Sequence, residues 1–367
     1  WEKSTTLNLG LDFAFLSNRL QFSGDIYQRK TTDMFTVGMS LPAVFGTDVP
    51  KGNYADLTTK GFELSVSWRD QFQLASKPFN YEVRFTLADY QSTIDKYNNP
   101  EKKLGDDYYY EGMKVGEIWG YETEGFFTSQ ADIDSHAKQP YFYAGATAGQ
   151  WLPGDIKFKD LNGDGVIDYG NNTVDNPGDQ KIIGNSEPRF IYGINLSGDW
   201  NNFFVSAFFQ GVGKQDWWPG SEASYFWGMY NRPYNDMPKS HLGNIWTEEN
   251  PNTYFPRLRG YSSEEPYAEL NLKQTRYLQN IAYIRMKNIQ LGYTLPKSFI
   301  SKLRMQNAKV YVSGENLWSW SPFYKYSKDL DVEAVRGSDR DLTEGTSGNG
   351  YSYPILKSVS FGLSVTF

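Results

Sequence analysis

The final residues of the chain, Ile355 to Phe367, sort by parity. Ile355, Val359, Phe361, Leu363, Val365 and Phe367 hold odd positions, and Ser358, Ser360, Gly362, Ser364 and Thr366 hold even ones. Strict two-residue alternation is the mark of a strand with one apolar and one polar face. It lasts for the roughly nine residues that a tilted strand needs to cross a bilayer. Lys357, the one charge of apolar parity, is expected at the membrane rim, where its stem can lie along the surface and its ammonium reach water.

The pattern recurs along the chain. Leu7, Leu9, Leu11 and Phe13 alternate with Thr6, Asn8, Gly10 and Asp12. Leu20, Phe22 and Ile26 alternate with Gln21, Ser23, Asp25 and Arg29. Phe62, Leu64, Val66 and Trp68 oppose Gly61, Glu63, Ser65 and Ser67, and Tyr81, Val83, Phe85 and Leu87 oppose Glu82, Arg84 and Thr86. Phe190, Tyr192, Ile194 and Leu196 oppose Arg189, Gly193, Asn195 and Ser197. Phe203, Val205, Ala207 and Phe209 follow, with Phe204 and Phe208 on the polar side. Val310 and Val312 alternate with Lys309, Tyr311, Ser313 and Glu315. From Ile281 to Thr294 the apolar parity also carries Arg285 and Lys287. The regular run from Ile289 favours an upper half standing clear of the membrane over a bulge at Lys287.

These segments make nine predicted strands, and the connections between them alternate in length. Short ones span Leu16–Asn18, Asp70–Pro78, Asp199–Asn201 and Leu295–Asn307. Long ones run from Lys30 to Thr59, Gln91 to Pro188, Val212 to Asn280 and Trp318 to Pro354. Short turns on one side and long loops on the other are the pattern of outer-membrane barrels. The expected fold is therefore all-β, a transmembrane antiparallel β-barrel with long extracellular loops. The plainer alternative is a soluble all-β protein whose alternating faces pack a core, but loops of this length at one end only fit a sandwich poorly. Nine is odd where bacterial single-chain barrels are even, so residues 1–367 are expected to be the C-terminal portion of a larger barrel.

Composition narrows the chemistry. With 36 basic and 43 acidic side chains the formal charge is −7, against the basic field of a nucleic-acid binder. There is no cysteine, which removes disulfides and thiolate metal sites. His136 and His241 are the only histidines. No apolar run approaches the roughly 18 residues of a membrane helix. The N-terminal Trp1-Glu2-Lys3-Ser4 has no charged-then-apolar leader, which fits a processed protein or a piece of a longer one.

A set of ordered segments carries a family resemblance. They are Trp1–Phe13, Arg29-Lys-Thr-Thr-Asp33, Gly61-Phe-Glu-Leu64, Gly116-Glu-Ile-Trp-Gly-Tyr121, Pro153–Gly165 and Ile183–Phe190, then Tyr283–Pro296, Gly314-Glu-Asn-Leu317 and the terminal Phe367. In these the chain resembles the C-terminal part of the SusC/RagA family of TonB-dependent outer-membrane transporters. The resemblance implies about nine strands of a 22-stranded barrel, multi-pass in the outer membrane of a Gram-negative bacterium. It also implies an N-terminal plug and TonB-contacting region outside this chain, with the remaining strands supplied from there or by another chain. The implied function is energised import of an oligosaccharide or peptide together with a SusD-like surface lipoprotein.

Three local features carry binding chemistry. Asp160-Leu-Asn162-Gly-Asp164-Gly165-Val166-Ile167-Asp168 follows the start of an EF-hand loop, with oxygen donors at alternate positions and glycine at the sharp turn. Calcium is the expected cation, held by Asp160, Asn162, Asp164, the Val166 carbonyl and Asp168, to stiffen a long loop. Asn171 replaces the usual glutamate at the end of the 160–171 loop, and Asp175 is near enough in sequence to supply a carboxylate. The plainer reading is an Asx- and Gly-rich turn closed by its own hydrogen bonds. Second, Trp217, Trp218, Tyr225, Trp227 and Tyr230, with Tyr234, crowd one long loop. Exposed aromatic faces suit stacking on a ligand or anchoring a partner protein; otherwise they pack the loop or join the interfacial belt. Third, parity sends Asp12, Asp25, Glu63, Glu82, Glu315, Arg29, Arg84 and Lys309 toward the lumen, where mixed charge suits a hydrated interior.

Enzymatic chemistry is not expected. No carboxylate spacing isolates a glycosidase pair, no Gly-x-Ser-x-Gly elbow is present, and both histidines fall in predicted loops. The alternatives to active import are a passive porin or surface binding protein, and a soluble all-β carbohydrate-binding module.

Overall fold

The computed structural model describes residues 1–37, 44, 46, 49–105, 108–140, 150–221, 223–234, 236–264, 268–335 and 354–367. Nine long strands form one sheet: β1 (Lys3–Phe15), β2 (Leu20–Val37), β3 (Lys51–Leu74), β4 (Lys77–Lys96), β5 (Arg189–Trp200), β6 (Phe203–Lys214), β7 (Tyr283–Thr294), β8 (Asn307–Trp320) and β9 (Ser358–Thr366). Each pairs antiparallel with its neighbours in chain order, so the sheet is an uninterrupted meander. β1 and β9 are its two edges.

Register brings the apolar parities into line. One row runs Trp68, Val83, Leu196, Ala207, Ile289, Gly314 and Val359 across seven strands. The row beside it toward the short turns joins Val205, Leu291, Val312 and Phe361. These side chains are not packed against each other inside a core. Leu7 is 76% exposed, Leu291 53% and Phe361 87%. A contiguous apolar surface of this extent needs an apolar environment to cover it, and hydrocarbon is the one that a barrel wall meets.

The opposite face is polar. Asp25 sits across from Glu63, with Asn8 donating to Asp25 at 2.9 Å. Arg84 donates to the Ser65 hydroxyl at 3.2 Å, and Ser358 to Glu315 at 3.0 Å. A concavity of about 400 Å³ on this face is lined by Asp25, Glu63, Ser65, Thr86 and Gln210. Aromatic rings also lie flat here, over glycines. Phe204 covers Gly292 and Tyr311 covers Gly362, where a Cβ on either glycine would enter the ring.

Three of the four connections at one end are short turns, and the fourth, between β7 and β8, spans residues 295–306 and holds a helical turn at Lys297–Ile300. Ala75–Ser76 and Asn201–Asn202 are two-residue turns with both residues at positive φ, the conformation whose twist matches a hairpin. The turn expected over Asp70–Pro78 is therefore much tighter, because Gln71 to Leu74 and Lys77 to Asn80 stay in register. The strands also run farther at the other end. β2 and β3 remain paired from Thr31/Leu57 to Val37/Lys51 inside the expected Lys30–Thr59 loop. At 24 residues β3 extends for about 80 Å, well past a hydrocarbon core of about 30 Å.

In β7 a bulge does occur at Lys287, contrary to the expectation of a regular strand standing clear. Pairing slips between Met286 and Asn288 on the β8 side and between Phe208 and Phe209 on the β6 side. The extra residue reverses parity. Ile289 and Leu291 keep the outward row, Met286 and Ile284 align with the exposed Trp318 and Trp320, and Tyr283 and Arg285 turn inward and are buried.

Candidate ligand and partner site in the loop cap

At the long-loop end, the connections β4–β5, β6–β7 and β8–β9 pack into one body. Its core gathers Tyr121, Ile156 and Phe158 from the first, Trp217, Phe226, Trp227, Tyr230, Phe255 and Tyr277 from the second, and Phe323 and Leu330 from the third. Loops with this aromatic content cannot leave it in water, and no single loop has enough backbone to enclose it. Pooling is the solution that buries the most apolar area, each ring contributing roughly 2–3 kcal/mol. Short strands brace the cap: Glu117–Tyr121 with Gln180–Asn185, Thr123–Phe126 with Ile156–Phe158, and Asp216–Trp217 with Gln279–Asn280.

The aromatic cluster marked in the sequence divides accordingly. Trp217, Trp227 and Tyr230 are buried, which corrects the expectation that they offer exposed faces. Trp217 meets Phe226 and Phe323 edge-on at 6.0 and 5.9 Å. The Trp227 indole N–H donates to the carbonyls of Pro219 and Gly220, both at 3.0 Å. Tyr230 stacks on Phe255. Trp218 is half-buried against Trp227. Tyr225 and Tyr234 stay exposed.

Buried ions fasten the loops together. Asp155, wholly buried, accepts from Arg257 at 2.8 Å and from Arg259 at 2.8 Å. Glu269, also wholly buried, accepts from the Ile156 amide at 2.9 Å. Burial, reinforced by the Asp155 charge, pushes the Glu269 carboxyl up to about 8. Arg285 reaches from β7 to Asp331 at 2.6 Å, and Lys287 to Glu333 at 2.6 Å, so the bulge is where the last loop is pinned to the wall. None of these pairings stood out in the sequence, since Asp155 and Arg257 are separated by a hundred residues of chain. The local signal was Arg257-x-Arg259, two cations in an otherwise aromatic stretch. His241 is buried and hydrogen-bonded to the Phe226 carbonyl at 2.9 Å, and burial lowers its proton affinity.

In the Asp160 loop the oxygens are turned on amides. Asp160 accepts from Gly163 and Gly165, Asn162 from Asp164, Asp164 from Val166, and Asp168 from Gly170, at 2.6 to 2.9 Å. Those N–H groups, Gly165 first, hold the Asp160 carboxyl below its ordinary value. Buried Asp179 ties the loop ends, accepting from Leu161 at 2.7 Å and Asp168 at 2.8 Å. Among the described residues, no three acidic or imidazole side chains stand close enough to hold a metal ion. The loop is thus closed by its own hydrogen bonds, and the donor set does not form a ready cage in this conformation.

The nine-stranded wall and one-sided cap agree with what comparison finds. The β-barrel model of the TonB-dependent receptor-like family matches residues 1–163. Over those residues the chain is similar to TonB-dependent receptor-like β-barrels. TonB-dependent receptor P3 of Formosa agariphila is 28% identical over 385 residues, covering 100% of this chain and 34% of that protein. TonB-dependent receptor SusC of Bacteroides thetaiotaomicron is 23% identical over 384 residues, covering 100% and 32%. The SusC/RagA resemblance thus extends over the whole chain, which spans about a third of the length of these relatives. Among solved structures, the RagAB peptide transporter shares the fold with a TM-score of 0.70 at 20% identity, covering 100% of this chain and 35% of its own.

Proposed function

We propose that the protein of which this chain forms part imports oligosaccharides or peptides across the outer membrane of a Gram-negative bacterium, energised through TonB. A SusD-like surface lipoprotein closes its extracellular mouth, and a plug and further barrel strands complete it. The observation that carries this reading is the pairing of an outward apolar belt across all nine strands with a packed cap at one end only. A membrane sheet has no unpaired edges, so β1 and β9 require strands from the remainder of the protein. Relatives are named TonB-dependent receptors, and a structure of the same fold is a peptide transporter. No catalytic role is proposed.

Uptake of labelled glycan and peptide pools by cells carrying the full-length protein tests this. Accumulation that ceases when the proton gradient is collapsed or TonB is deleted is expected. Accumulation that persists identifies a passive porin, and a purified protein soluble without detergent identifies a soluble binding module. The surface lipoprotein is tested by its recovery with the receptor from detergent extracts.

We further propose calcium as the ligand of the 160–171 loop, on the chemistry of its donors. Asp160, Asn162, Asp164 and Asp168 would turn from amide to cation, which would stiffen the cap without taking part in transport.

A further inference from the structure

The cap holds a recess of about 520 Å³, within the size range of small-molecule sites. Arg276 and Lys325 line it, with Tyr254 and Tyr326 stacked at 4.2 Å between their segments, and Thr253 and Asn244 beside them. Among the described residues, no acidic side chain lines it.

The charge balance here differs from that of the rest of the cap. Arg257 and Arg259 meet Asp155, and Arg285 meets Asp331. Arg276 meets carbonyls and rings instead. Its Nε donates to the Tyr254 carbonyl at 3.0 Å and its Nη2 to the Thr253 carbonyl at 2.6 Å, while its guanidinium carbon lies 4.1 Å from the Phe126 ring centroid. Lys325 stands over Tyr326, with Nζ 5.4 Å from the ring centroid. No ion pair among the described residues includes Arg276 or Lys325. Carbonyl dipoles fix the direction of the guanidinium without neutralising it. A half-buried cation held in this way, with a second one lining the same recess, attracts an anion more strongly than either does in open water.

We propose that this recess binds a carboxylate-bearing ligand. Arg276 and Lys325 take the anionic group, and Thr253 and Asn244 offer neutral hydrogen-bonding groups to what carries it. The stacked tyrosines form an apolar wall against its carbon skeleton. The biological meaning rests on the import reading, for which this names a substrate class of acidic sugars or of peptides with a free carboxylate. The binding itself does not depend on that reading.

The test uses the purified full-length receptor in detergent and measures binding by calorimetry, without uptake. The probes are trigalacturonate against its methyl ester, and trialanine with a free carboxylate against its amide. At least one acid should bind about tenfold tighter than its neutral partner, the scale of one charge-assisted contact. The pair that shows the preference identifies the source, sugar or peptide. Lys325→Glu, a change at an exposed side chain, should abolish the preference, and Lys325→Arg should retain it. Equal binding of acid and neutral partner in both pairs overturns the proposal, as does a preference that survives Lys325→Glu. Neither result bears on import, which the uptake experiment decides separately.

Discussion

The wall and the cap are built from similar residues and use them in opposite ways. In the wall, Leu7, Leu196, Leu291 and Phe361 point outward and touch few neighbours, and the polar side chains face in. In the cap, Trp227, Tyr230, Phe255 and Tyr277 are fully enclosed, and the polar side chains that accompany them are either paired ions or bonded to the backbone. The difference teaches that burial in this chain follows the solvent and not the residue type. Hydrocarbon accepts isolated leucines along a strand, whereas water at the cap forces aromatics from three loops together. The cap is therefore a small conventional core seated on a wall that has none.

The comparison yields a graded set of outcomes. The largest is expected for Trp227→Ala, which leaves a cavity, takes the indole donor from the Pro219 carbonyl and costs the cap about 3–5 kcal/mol. Limited proteolysis should then cut within residues 215–282 while the wall keeps its heat-modifiable migration on gels. Simultaneous loss of both would show that wall and cap are one cooperative unit. Next comes Leu196→Arg, worth about 2–4 kcal/mol at mid-membrane. Asn195→Arg, on the opposite face at almost the same depth, should shift stability by no more than about 0.5 kcal/mol. Urea unfolding in lipid vesicles compares them, and the reverse ranking would invert the faces.

A smaller effect separates the regions by pH. Glu269 has a folded value of about 8 against an ordinary 4.5, so the folded cap keeps a proton that the unfolded chain has released. The unfolded state then binds fewer protons, and stability falls as pH rises from about 5 to about 8. Glu269→Gln should flatten that fall in cap melting and leave the wall unchanged. The smallest effect is expected from calcium, a slight rise in cap melting temperature that Asp164→Ala removes. No rise at millimolar calcium would leave the loop as a turn closed by its amides.

Much of the wall was legible in advance because its pattern is local. Nine strands, their facing and the end that carries the short turns all follow from parity and turn residues, and register confirms them from Leu9/Ile26 to Val310/Leu363. The bulge at Lys287 was the exception. Arg285 and Lys287 looked misplaced on an apolar parity, and what re-phases them is a salt-bridge partner in another loop, Asp331 and Glu333. In the cap, the sequence marked the aromatic cluster but not its burial. The Asp155, Arg259 and Glu269 group and the Arg276 recess went unseen, because each joins residues from separate loops.

What the chain's order determined alone is which side of each strand meets lipid, save above the bulge in β7, since the covalent pleat sends successive side chains to opposite faces. Folding in three dimensions decided which tryptophans are enclosed, which arginines are neutralised and which carboxyl keeps its proton. Those outcomes depend on distances between residues from some fifty to more than a hundred positions apart, and only the closed cap sets them.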